Sequence, residues 1–276
     1  MDVDVGIVAQ RDNERAQELA VTLLETLMDD DVTVTVDDAT GEATGVASNP
    51  VEEMGACDLV VSIGGDGTFL FVAREAGGAP ILGVNLGEVG FLNAVPPEDA
   101  VDAVSTSVDR LREGTDLEGT SVDRLQAHGE GWDLPPALNE IVVHGPRRGH
   151  GGGGEIAVRI DGEPYAESHV DGVLVSTPTG STAYNLSEGG PLVRTTVDAI
   201  VVTQMCATES MPPLVVDADS EVTLELSGVE TGWVISDGRN RRRLVPPATV
   251  TVTVADDPVT LAGPRGNFFE ALEKLE

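Results

Sequence analysis

Apolar positions along the first hundred or so residues repeat with two different periods. Val3–Ala9 (VDVGIVA) is a nearly continuous apolar run and predicts a buried strand. From Asn13 to Met28, Ala16, Leu19, Ala20, Leu23, Leu24 and Leu27 recur at helical spacing. Val32–Val36 is again strand-like, and Leu59–Ile63 (LVVSI) is a short apolar run that stops at a glycine cluster. Phe69–Ala76 predicts a helix and Ile81–Val84 a strand. Pro97–Arg112 opens on proline and places Ala100, Val101, Val104, Val108 and Leu111 on one helical face. Strands alternating with helices predict an α/β domain, a parallel sheet with helices on its faces.

After Gly114 the pattern shortens to β-rich runs: Ile141–His144, Ile156–Ile160, Val173–Ser176, Ile200–Met205, Val222–Leu226, Trp233–Ser236 and Val250–Val254. Asp-Gly steps at 161–162, 171–172 and 237–238 separate several of them as turns. The chain is therefore expected to hold an α/β domain over residues 1–113 and a β-rich domain over 114–263. Phe268–Leu275 predicts a closing helix, within 264–276, that packs back on the first domain.

Charge changes the picture next. Forty-eight acidic residues face sixteen basic ones for a formal net charge of −32, and the acids are spread along the whole chain. Self-repulsion on this scale opposes folding in dilute buffer. At molar salt the Debye length falls to about 3 Å and screens it. The surface is that of a protein from a very salty cytoplasm, and it excludes nucleic acid and an anionic membrane as main partners. Lys274 is the one lysine, which rules out a G-x-x-x-x-G-K-[ST] loop and a Schiff-base lysine in the body of the chain. No apolar run reaches about 18 residues and the N-terminus has no basic leader, so neither a membrane span nor a secretory signal is expected. Cys57 and Cys206 form no C-x-x-C pair and read as lone buried thiols of a reducing compartment.

Two motifs carry chemistry. Gly64-Gly65-Asp66-Gly67-Thr68 lies between a strand and a helix. Glycines there let backbone N–H groups and a helix N-terminus cradle phosphate without lysine. Asp66 within that loop is a general base for an attacking hydroxyl, a Mg²⁺ ligand, or simply a solvated turn residue. Thr177-Pro178-Thr179-Gly180-Ser181-Thr182-Ala183-Tyr184 follows the strand Val173–Ser176. Its hydroxyls and its tyrosine suit a nucleotide's base and ribose; the plainer reading is a turn with an N-cap at Ser181 or Thr182.

Together with Gly83–Leu92 (GVNLGEVGFL), Leu138–His144 (LNEIVVH), Asp171–Pro191 and Ser236–Arg239 (SDGR), these motifs resemble the NAD kinase family along nearly the whole chain. GGDGT alone is shared with 6-phosphofructokinases and with diacylglycerol and sphingosine kinases, whereas TPTGSTAY with an upstream Asn-Glu is specific. The resemblance implies a two-domain NAD kinase-like fold with its active site in the cleft between the domains. It also implies a phosphotransferase that moves the terminal phosphoryl group of ATP, or of polyphosphate, to the adenosine ribose 2′-hydroxyl of NAD, with Mg²⁺ or another divalent metal. Asp66 would be the catalytic carboxylate, and Gly64, Gly65, Gly67 and Thr68 would line the donor phosphates. Asn139 and Glu140 would hold ribose hydroxyls, Phe91 would lie beside the adenosine, and Thr179, Thr182, Tyr184 and Ser187 would surround the adenine and second ribose. Asp171 would sit at the nicotinamide side. A cytoplasmic homo-oligomer, dimer or tetramer, is expected on the same ground. The rivals are a same-superfamily kinase of a lipid or other small molecule, and a catalytically weak NAD-binding paralogue.

The chain departs from the family pattern at Met211-Pro212-Pro213-Leu214, where an Arg-Pro step is common, and at Cys206-Ala207-Thr208, where a histidine is frequent upstream. Arg147–Gly154 (RRGHGGGG) formally contains G-x-G-x-x-G, but no helix follows, so it reads as a flexible surface loop. Arg241-Arg242-Arg243 reads as a solvated turn flanking SDGR, with a phosphate or intersubunit contact as the alternative. His128, His144, His150 and His169 lack metal-site spacing.

Overall fold

A computed structural model describes residues 2–30, 32–87, 90–149 and 152–273. The chain falls into two compact units, residues 1–122 with 259–276, and residues 123–258.

The first unit opens with β1 (Asp4–Ala9), α1 (Glu14–Asp29), β2 (Thr33–Val36) and α2 (Asp38–Thr44). A 3₁₀ turn over Val51–Ala56 leads to β3 (Leu59–Gly64), α3 (Asp66–Glu75), β4 (Ile81–Asn85), α4 (Ala100–Arg112) and β5 (Gly119–Val122). Asn13 caps α1, its side chain accepting from the Ala16 N–H, and Asp37 caps α2 through the Ala39 and Thr40 N–H groups. α2 has no apolar period, which is why the hydrophobic pattern misses it; its buried residues are Thr40 and Gly41. Leu59, Val61 and Ile63 of β3 join one core with Ala16, Ala20, Leu23 and Leu27 of α1 and Ala100, Val104 and Val108 of α4. Val60 points the other way, where Met54 and the buried Phe69 and Val72 of α3 cover the sheet. Helices on both faces bury β3 at every position, and Ser62 is its one polar side chain.

The second unit contains β6 (Leu125–Gly129), β7 (Trp132–Asp133), β8 (Glu140–His144), β9 (Gly154–Ile160), β10 (Glu163–Val170), β11 (Gly172–Ser176) and the four-residue helix α5 (Tyr184–Ser187). It continues with β12 (Ala199–Met205), β13 (Leu214–Asp217), β14 (Val222–Ser227), β15 (Gly232–Ser236), β16 (Asn240–Leu244) and β17 (Ala248–Val254). Two antiparallel six-stranded sheets result, ordered β10-β9-β14-β17-β6-β7 and β13-β12-β11-β8-β15-β16. Their inner faces share one core that includes Ile141, Val143, Val173, Val175 and Ile200 from the second sheet and Ile156, Leu224 and Val252 from the first. Period-2 alternation then puts Glu140, Val142 and His144 of β8 and Leu174 and Ser176 of β11 on the outer face of the second sheet.

β18 (Val259–Ala262) and α6 (Phe268–Leu272) return to the first unit. Its sheet reads β2-β1-β3-β4-β18-β5, parallel throughout except where β5 runs against β18. The sequence-based boundaries at 113 and 263 put β5 and β18 with the β-rich strands; each is only four residues long, and long-range pairing places both in the first sheet. Among the described residues, no helix is long and apolar enough to cross a membrane.

Candidate active site

The carboxyl ends of β1, β3 and β4 open onto a cavity of about 470 Å³ lined by Gln10, Asn13, Gly65, Asp66, Asn85, Leu86, Gly87 and Gly90. Two helices start at it: α1 behind its cap Asn13, and α3 behind Gly65, which supplies no side-chain cap. The partial positive charges of two helix N-termini therefore point at one polar space. In open α/β sheets this is where ligands bind.

Asp66 is the first residue of α3 and is half-buried. Its Oδ2 accepts from the Phe91 N–H at 3.3 Å, and its Oδ1 from the Leu92 N–H and Asn93 Nδ2, each at 3.4 Å. Asn93 is fully buried and also donates to the Gly64 carbonyl at 3.3 Å, so it ties the end of β3 to the carboxylate. Gly90 must lack a side chain, since a Cβ there would stand 2.4 Å from Asp66 Oδ1. The same segment carries Phe91, whose ring packs against Phe268 of α6 with centroids 6.1 Å apart. Gly65 and Gly67 are exposed, and Thr68 is half-buried with its hydroxyl beside Gly64.

The second unit gathers the other residues on the outer face of its second sheet. Asn139 and Glu140 enter β8 with their backbone gripped by Asp237. One carboxylate oxygen accepts from the Leu138 N–H at 2.7 Å, the other from Asn139 and Glu140 at 2.8 and 3.1 Å. Asp237 sits in the turn between β15 and β16 with φ +45°. On the other side, Thr177 donates its hydroxyl to the Leu138 carbonyl at 2.6 Å, and Gly180 lies so close that a Cβ would meet the Asn139 carbonyl oxygen at 2.0 Å. Glu140 is only 7 % exposed, and its Oε2 has no hydrogen-bond partner. Burial first, then the Asp237 charge, push its carboxyl up to about 7, against a lowering by the Tyr184 backbone N–H.

Residues 179–187 lie over this face. Tyr184 packs on Val142, Leu174 and Met205, and Asn185 accepts from the Thr203 hydroxyl at 2.8 Å. Thr179 is buried, Thr182 donates to the Thr179 carbonyl at 3.2 Å, and Ser187 is exposed at the end of α5. Neither Ser181 nor Thr182 is a helix cap: α5 starts behind Ala183, and the Ser181 hydroxyl bonds the Pro178 and Val193 carbonyls. Asp171 precedes β11 and accepts from the Gly149 N–H at 2.7 Å.

Within the first unit the structure brings Gly64, Gly65, Asp66, Gly67, Thr68 and Phe91 together. Within the second it brings Asn139, Glu140, Asp171, Thr179, Thr182, Tyr184 and Ser187 onto one segment and the sheet face beneath it. Sequence reasoning missed Asn93, Asp237 and Arg148. The first two act through partners that lie 27 and 97 to 99 residues away. Arg148 lies in the glycine-rich segment set aside as a surface loop, of which His150 and Gly151 fall outside the described residues.

Other readings change as well. Arg241–Arg243 form strand β16 rather than a turn, with Arg241 over the Trp233 ring at 5.3 Å and Arg242 over Trp132 at 5.1 Å. Cys206 is exposed, not buried, at a residue with φ +49°, and Cys57 is half-buried. Among the described residues no group of three or more His, Cys, Asp or Glu is arranged to hold a metal ion.

One chain thus combines a strand–glycine–helix turn bearing one carboxylate with a β-sandwich that carries an Asn-Glu pair and a hydroxyl-rich segment, a combination that suits a small-molecule kinase. The family models agree: residues 5–111 match the ATP-NAD kinase N-terminal domain and residues 138–262 the ATP-NAD kinase C-terminal domain. The chain belongs to the ATP-NAD kinase family and is a phosphotransferase. It is 54 % identical over 280 residues to the NAD kinase of Haloarcula marismortui, covering 98 % of this chain and 99 % of that protein. Against the NAD kinase of Halobacterium salinarum it is 55 % identical over 280 residues, with 99 % of each covered. Yeast NADH kinase complexed with NADH shares the fold at a TM-score of 0.86 and 22 % identity, over 99 % of this chain and 87 % of that one. An Archaeoglobus fulgidus NAD kinase in complex with ATP gives a TM-score of 0.75 at 23 % identity, over 99 % and 97 %.

Proposed function

We propose that the protein phosphorylates NAD on its adenosine ribose 2′-hydroxyl, with ATP as donor, and that the residues above do this work. The observation that carries the reading is Asp66: one carboxylate, oriented from behind by three hydrogen bonds, at the mouth of a cavity that two helix N-termini make favourable for phosphate. Gly64, Gly65, Gly67 and Thr68 hold the donor phosphates through backbone N–H groups and the threonine hydroxyl. Asp66 orients the 2′-hydroxyl and takes its proton as that oxygen bonds the terminal phosphorus and the bond to the leaving diphosphate breaks. Phe91 supports the adenosine, Asn139 and Glu140 bind ribose hydroxyls, and Thr179, Thr182, Tyr184 and Ser187 surround the base and second ribose. Asp171 sits at the nicotinamide end.

A divalent cation fits this donor set. Mg²⁺ is held by one or two carboxylates and substrate phosphates rather than by an all-protein cage. Asp66 and the oxygen-bearing lining of Gln10, Asn13 and Asn85 offer that chemistry. When bound, the ion neutralises charge on the transferring phosphoryl group. A cytoplasmic homo-oligomer completes the proposal, in line with the acidic, lysine-poor composition and the family. The test is NADP formation from NAD in molar potassium chloride with Mg²⁺, run with ATP and with polyphosphate. NADP formed from ATP supports the reading; none from either donor overturns it.

A further inference from the structure

Between β8 and β9, Arg148 and Gly149 are held against the proposed dinucleotide residues. The Gly149 N–H donates to Asp171, and the Arg148 guanidinium lies over the Tyr184 ring, 5.3 Å from its centroid, with Nη1 donating to the Tyr184 hydroxyl at 2.6 Å. Further along, Gly153 donates to the Arg147 carbonyl at 2.8 Å and His169 Nε2 lies 2.9 Å from the Gly152 carbonyl. These bonds hold the exposed Arg148 side chain against Tyr184, beside the proposed substrate residues.

Charge gives that placement a meaning. The proposed dinucleotide contacts in this unit are Asn139, Glu140, Asp171, Thr179, Thr182, Tyr184 and Ser187, which include two acids and no base. The acceptor's diphosphate bridge carries two negative charges, and the chain around it is itself strongly acidic. In molar salt a distant cation is screened within about 3 Å, so only a directly hydrogen-bonded one offsets such an anion. A guanidinium suits this: five N–H donors in a rigid fork, able to stack on a ring and still pair with phosphate. Arg148 spends one donor on the Tyr184 hydroxyl.

We propose that Arg148 binds the diphosphate bridge of the acceptor dinucleotide. The inference rests on the reading of the chain as an NAD phosphotransferase and names a binding residue that the sequence motifs do not contain.

Two ligands separate this role from mere support of Tyr184. NAD carries the diphosphate; adenosine carries the same base and ribose without it. Wild type, Arg148→Ala and Arg148→Lys are compared for KM toward NAD, KM toward ATP, and inhibition by adenosine against NAD. The expected result for Arg148→Ala is a KM for NAD raised by about tenfold or more, as for loss of a charged hydrogen bond. Adenosine inhibition and KM for ATP stay within about twofold, and lysine restores part of the loss. Equal weakening of NAD and adenosine would mean that Arg148 acts through Tyr184 and would overturn the proposal, as would an unchanged KM for NAD. A wild type that forms no NADP would sink the functional reading itself, whereas turnover with an unaltered NAD-to-adenosine ratio sinks only the arginine.

Discussion

Replacing Glu140 by glutamine should make the protein more stable at pH 8 while it destroys NAD binding. Glu140 is 7 % exposed, its Oε2 lacks a hydrogen-bond partner, and Asp237 stands close by. Its carboxyl is raised from 4.5 to about 7, so between these values the unfolded chain gives up the proton and the folded protein keeps it. The proton-linked stability is therefore complete below about pH 4.5 and lost as pH rises through about 7. That interval is worth about 3 kcal/mol. Solvent entry and the unpaired amide introduced by glutamine reduce the net gain to ~1–3 kcal/mol. For units of this size the gain corresponds to a Tm rise of about 3–10 °C. The assay is thermal unfolding of wild type and Glu140→Gln from pH 5 to pH 8.5 in molar potassium chloride, with and without NAD. The variant should gain over wild type progressively above pH 5 and lose the Tm increase that NAD gives wild type. A constant difference across the range, or a variant less stable at pH 8, would show that the buried Glu140 carboxyl, with Oε2 left for a ligand to satisfy, does not cost stability when ionised.

Asp237→Asn leaves one acceptor oxygen for three backbone N–H groups and turns an amide N–H₂ toward at least one of them, at a cost of about 2 kcal/mol or more. KM for NAD should rise roughly tenfold, and the pH dependence of NAD binding should move to lower pH, because the charge that raises the Glu140 carboxyl is gone; an unmoved pH profile contradicts this. Dilution of potassium chloride should lower both Tm and activity as the −32 net charge loses its screening. Full activity and an unchanged Tm in low-salt buffer without divalent metal would remove the salt argument.

The core strands of the first unit were legible because helices cover both faces and make their sequences nearly continuous apolar runs, as in Leu59–Gly64, broken only by Ser62. Strand β10 was not: EPYAESHV edges a sheet and is largely polar, and β16 carries three consecutive arginines. The helix α2 was hidden because small polar residues, not leucines, fill its contact with the core. At the site, local motifs declared themselves, since a loop that must expose its N–H groups needs glycines in sequence. The groups that hold those motifs did not. Asp237 grips residues 138–140 from the turn of the β15–β16 hairpin, and Asn93 steadies Asp66 from the loop that follows β4. No spacing rule links such positions before the chain is folded. The glycine-rich segment lies at the surface as its composition indicates, Arg147 to Gly149 being exposed, but composition did not show that Arg148 and Gly149 bond Tyr184 and Asp171.

Single-turnover NADP formation by wild type and Asp66→Asn, each saturated with NAD and ATP, shows whether Asp66 accepts the ribose proton. The rate should be about 10²- to 10⁴-fold lower in the variant, with NAD still bound. A variant that forms NADP at the wild-type rate would contradict that role.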